Sequence, residues 1–134
     1  MVNQLWKEMK SKHDKLYRKA FELKNTEHFL ESIAEFKRIL KEDDDPERIS
    51  PILIAALYYY ELKDYKNALP FARQAVKVKP KNEMASICLA HCLFRAEKHA
   101  AVTKEIRRYV ATGGKMDAYQ TLFDENGVTA KDFT

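Results

Sequence analysis

The sequence predicts an all-α protein, an antiparallel solenoid of helix hairpins, and three observations carry that prediction. Apolar residues recur at helical spacing along most of the chain. Only three glycines and four prolines interrupt 134 residues, too few for a β-rich chain with many tight turns. Residues of matching character return 34 positions apart: Ala56 with Ala90, Tyr59 with Leu93, Ala68 with Val102. A period of this length is that of a two-helix unit, which buries its apolar face by stacking on its neighbours.

Each element follows from its own pattern. Leu5, Met9, Leu16, Ala20 and Leu23 form one stripe and Trp6, His13, Tyr17 and Phe21 an adjacent one, predicting a helix over about 3–24. Asn25-Thr26-Glu27 supplies a turn. Phe29, Ile33, Phe36, Ile39 and Leu40 mark a second helix, ended by Glu42-Asp43-Asp44-Asp45-Pro46, which reads as a solvated acidic loop. That run lacks the alternating ligands and the glycine of a calcium loop. Ser50-Pro51 predicts a capping hydroxyl followed by proline in the first turn. The third helix then carries Ile52, Leu53, Ala56, Leu57, Tyr59 and Tyr60, with Tyr59 toward the core and Tyr60 outward. A fourth helix starts near Tyr65. Pro70 within it predicts a kink or a later start, because its ring deletes a hydrogen bond. Asn82 caps a fifth helix, a sixth runs from about Lys98 to Ala111, and Gly113-Gly114 ends it in a left-handed cap. Met116, Tyr119, Leu122 and Phe123 mark a short seventh helix, and the patternless residues 127–134 read as a flexible tail.

Composition narrows the function classes. A chain of 134 residues fits one domain, spanning 1–126 before the tail, and buries enough surface to need no disulfide or metal. The 24 basic and 20 acidic residues are interspersed, which argues against a nucleic-acid partner. Met1–Lys7 lacks the apolar core of a signal peptide, and no apolar run reaches the roughly 20 residues of a membrane span. Two cysteines without an export signal point to a reducing, cytoplasmic setting. Cys88 and Cys92 lack the two-residue zinc spacing and read as buried thiols rather than as a metal site. No set of nucleophile, base and orienting group is visible, nor a phosphate-binding glycine loop, so the chain reads as neither an enzyme nor a cofactor carrier.

Ile52, Ala55, Ala56, Tyr59, Ala68, Ala72, Ala75 and Pro80 fall on the positions that define a tetratricopeptide repeat counted from Ile49. Counted from Glu83, a further repeat has Ser86, Leu89, Ala90, Leu93, Val102, Ile106, Tyr109 and Gly114. Counted from His13, a first one has Leu16, Ala20, Leu23, Ser32, Phe36 and Ile39, with Pro46 two residues late. The chain therefore resembles the tetratricopeptide repeat family over about 13–114, with repeats at 13–46, 49–80 and 83–114. The helix over 115–125 is similar to the capping helix that shields a last repeat. In size and groove character the chain is most similar to the bacterial type III secretion chaperones. The stretch Leu62–Leu69 also resembles the mitochondrial fission adaptor, whose membrane anchor has no counterpart here.

The resemblance implies a concave groove lined by the first helix of each repeat. Its positions hold Tyr17, Leu53 and Ile87, then Phe21, Leu57 and His91, then Tyr60 and Phe94 on the third row beside Lys24. The Lys, Asn and Arg that some members use to hold a terminal carboxylate are absent. An apolar groove requires a cover. This implies a non-enzymatic adaptor or chaperone that binds a protein or peptide with a hydrophobic segment. The alternative is a structural subunit, a homodimer for instance, that assembles through the groove or the N-terminal helix. The stretch of Leu5, Trp6 and Met9, the seventh helix or a second copy are equally open as covers.

Overall fold

The computed structural model describes residues 14–42, 45 and 47–134, and among these all regular structure is helical. The expectations for Leu5, Trp6, Met9, His13, Asp43, Asp44 and Pro46 lie outside the described residues. The order is α1 (Asp14–Asn25), α2 (Phe29–Lys41), α3 (Ser50–Ala56) continued by a π-helical turn (Leu57–Glu61), α4 (Tyr65–Val78), α5 (Glu83–Arg95), α6 (His99–Ala111), a 3₁₀ turn (Met116–Tyr119), α7 (Gln120–Asn126) and a last 3₁₀ turn (Ala130–Phe133). From α1 to α6 each helix packs on the next in the chain, and α3 also touches α5. No helix among the described residues is long and apolar enough to cross a membrane.

The helices turn back on themselves in the same way three times. Glu27, Lys63 and Glu97 each adopt a left-handed backbone, with φ of 63°, 55° and 59°. The next residue's N–H returns to the helix it has just left, from His28 to the Leu23 carbonyl, Asp64 to Tyr58 and Lys98 to Leu93. Such 6→1 closures satisfy carbonyls that a helix end otherwise leaves open. In the middle hairpin the closure is one residue wider, because the turn Leu57–Glu61 is a π-helix.

Small residues sit where helices meet. Ala20, Ala90, Ser32, Ala68 and Val102 are fully buried. Ser32 Oγ donates to the Ala20 carbonyl at 2.6 Å, so α1 and α2 cross with only a hydroxyl between them. A larger side chain at such a crossing forces the helices apart. Asn82 caps α5 as expected, accepting from Ala85 N at 2.9 Å, and Gly113 is left-handed at φ 101° beyond α6.

Three local expectations are corrected, and of the two alternatives at Pro70 one is removed. Ser50 does not cap α3; it is the helix's first residue, and its buried hydroxyl has no hydrogen-bond partner. Asp45 replaces it, accepting from the N–H groups of Ile49 at 3.2 Å and Ser50 at 2.9 Å. Asp45 is therefore a cap and not part of a solvated loop. Around Pro70 there is no late start: α4 begins at Tyr65, with Asp64 accepting from Asn67 N at 3.1 Å. Pro70 is exposed, so water can reach the carbonyl that its ring deprives of a donor. Finally, residues 127–134 fold back. Thr129 and Asp132 form a capping box, and Phe133 is buried and stacked on Phe123, 5.5 Å between ring centroids. One aromatic anchors a stretch too short to show a period.

Candidate functional site

A cleft of about 530 Å³ opens between the π-turn, α5 and α7. Tyr59, Tyr60 and Lys63 come from the end of the α3 hairpin arm, Tyr65 from the start of α4, and Met84, Ile87, His91 and Arg95 from one face of α5. Ala118, Thr121 and Glu125 close the far wall. A neighbouring hollow of about 260 Å³ shares Tyr59, His91, Arg95 and Glu125 and adds Phe94, Leu122 and Asn126. The cleft lies within the size range of ligand sites, with apolar and aromatic walls and a few converging polar groups.

The eight residues expected on one open face divide into three sets. Tyr60, Ile87 and His91 line the larger cleft, and Phe94 lines its neighbour. Leu53 is half-buried against the core and lines neither. Tyr17, Phe21 and Leu57 are core residues, 0%, 8% and 1% exposed. Their helical phase is right for the expected face, but other parts of the chain cover them. The Tyr17 hydroxyl donates to Asp45 at 2.5 Å, Phe21 meets Phe36 edge-on, and Leu57 opens the π-turn inside the core.

Tyr59, expected in the core, points into the cleft with Tyr60. A π-turn advances each residue by a smaller angle than an α-turn, so the facing of Tyr59 and Tyr60 departs from that of a regular α-helix. The two rings meet edge-on, 5.0 Å between centroids, and both pack on the His91 ring. The Tyr59 hydroxyl lies 3.2 Å from His91 Nδ1, and Glu125 Oε2 lies 3.9 Å from the same nitrogen. Burial holds the His91 imidazole below its usual pKa, more strongly than Glu125 raises it, and Arg95 lowers it further. The ring is thus neutral at pH 7 and supplies one donor and one acceptor. Burial raises the Tyr59 and Tyr60 phenols, which are therefore protonated.

Of the residues missed by sequence reasoning, Tyr59 carried a signal only in the triple tyrosine. Met84 is 48% exposed, an apolar side chain left in the open at the mouth of the cleft. Ala118, Thr121 and Glu125 belong to the segment expected to shield a last repeat, and they form one wall of the cleft. The thiols behave as expected: Cys88 and Cys92 are free and buried. A hydrogen bond to Cys92, then burial, pushes the Cys88 thiol above its usual pKa, which disfavours its thiolate. Among the described residues no three His, Cys, Asp or Glu side chains converge as a metal site.

No family model, curated protein or solved structure matches this chain.

Proposed function

We propose that the chain is a tetratricopeptide-like solenoid of three helix hairpins. In this reading it is a non-enzymatic interaction module that binds an amphipathic peptide segment in the cleft between the π-turn, α5 and α7. The thrice-repeated left-handed turn supports the repeat reading, as does burial of small residues at the helix crossings. The cleft carries the functional reading: half-buried Tyr60 and Ile87 and exposed Met84 form an apolar surface beside polar groups, inside a concave site of ligand-binding size. A helix or extended segment laid there buries those side chains and reaches the polar groups beside them. Each apolar anchor fully buried contributes roughly 1.5–3 kcal/mol.

The test is affinity capture from the native source, comparing the wild type with Ile87→Arg. The expected outcome is loss of the captured partner with helicity and monomeric state unchanged. Full capture by the variant contradicts the cleft as the binding site. A dimeric wild type with a monomeric variant replaces the adaptor by the self-assembling subunit.

A further inference from the structure

The mouth of the cleft has a charge that the rest of the repeat lacks. Three turns share one backbone geometry, at Glu27, Lys63 and Glu97. Of these three residues only Lys63 lines the cleft; Glu27 and Glu97 do not. Two residues before these positions stand Asn25, Glu61 and Arg95, so each of the two turns beside the cleft carries one cation and one exposed acid, and only the cation lines the cleft. Arg95 lies in the cleft. Lys63 and Arg95 are both exposed, and neither makes an ion pair with a described residue. Arg95 rests beside the Tyr59 hydroxyl and within electrostatic reach of Glu125, and it stays exposed to solvent. Glu125, on the opposite wall, is the cleft's one acid among the described residues, and it lies beside neutral His91. Two cations on one rim thus face an apolar floor.

Resting on the reading of this cleft as a peptide site, we propose that its ligand is an acidic amphipathic segment. An aromatic or branched apolar side chain seats on Tyr60, Ile87 and Met84, and a neighbouring Asp or Glu carboxylate meets Lys63 and Arg95. Rim charges of this kind set orientation and partner choice and add modestly to affinity. The positively charged rim also disfavours basic amphipathic helices, which the apolar floor alone would accept.

The proposal is tested by selection from a displayed library of random dodecapeptides against the full chain. The expected winners carry one aromatic or branched apolar residue with Asp or Glu within about one helical turn. A synthetic winner is expected to lose roughly tenfold in affinity on Lys63→Gln/Arg95→Gln, and a similar factor between low and high salt. Both substituted residues are exposed, so the fold is retained; circular dichroism checks this. Winners that are apolar without acidic bias, and indifferent to the double substitution, overturn the charge inference while the peptide site stands. Failure to select any peptide that Ile87→Arg abolishes overturns both. A dimer that Ile87→Arg dissociates makes a second copy the occupant and also overturns the proposal.

Discussion

Two polar clusters flank α5, and they are built to different tolerances. On one side Tyr119, Ser86 and Glu105 are all buried, and the links are short: Ser86 Oγ lies 2.5 Å from the Tyr119 hydroxyl and 2.6 Å from Glu105 Oε2. Ser86 has one proton, which it donates to Glu105, so Tyr119 donates to Ser86. Arg108 closes the chain with 2.8 Å and 2.6 Å bonds to both Glu105 oxygens and a third bond to the Pro80 carbonyl. Each hydroxyl and each carboxylate oxygen of the set has a partner. On the other side Tyr59, His91 and Glu125 are spaced at 3.2 Å and 3.9 Å, with Glu125 exposed and a cleft between them. The first cluster locks α5, α6 and the 3₁₀ turn together. The second has slack and open bonding capacity, which is what a surface that receives a partner requires.

That contrast is broken most severely by Glu105→Ala. It leaves the buried Ser86 hydroxyl without its acceptor and Arg108 without its carboxylate, and we expect a loss of about 2–3 kcal/mol in denaturant unfolding. Next is Gly114→Ala: an added Cβ would lie 2.2 Å from the Tyr109 ring, which packs edge-on against Tyr119. The ring must move, and the expected cost is about 1–3 kcal/mol, read as a lower midpoint at unchanged slope. On the loose side Tyr59→Phe removes only a long hydrogen bond and is expected to cost about 0.5 kcal/mol. A loss as large as that of Glu105→Ala would erase the distinction.

The smallest effect is that of pH. The folded protein holds His91 below its ordinary pKa, whereas the unfolded imidazole takes up its proton near pH 6.5. Stability from this residue is therefore complete above about pH 6.5 and declines as pH falls toward the lower folded value. His91→Gln should remove that part of the slope, measured by unfolding at a series of pH values.

The helices were legible because their signals are local. Asn82 before an apolar run, and Gly113 after one, each act within a turn of their own position. The alanines at helix crossings were legible from the 34-residue period. The exposed face was read only in part, for two reasons. Periodicity assumes 3.6 residues per turn, and the π-turn over Leu57–Glu61 changes that angle within Tyr58-Tyr59-Tyr60, where all three residues look alike. Phase also tells which way Tyr17 and Phe21 point but not which segment covers them. For Tyr17 the cover includes Asp45, five residues ahead of the helix it caps and 28 from the tyrosine it meets. Phe133 was missed because a single aromatic has no period at all.

The most direct test of the account is the pattern of backbone amide shifts when a selected acidic amphipathic peptide is added to isotope-labelled protein. The account predicts the largest changes at Tyr60, Lys63, Ile87, His91, Ala118 and Thr121, with Ser86, Glu105 and Arg108 nearly unmoved. Changes centred on exposed Leu30 of α2, or spread evenly through the core, would contradict it.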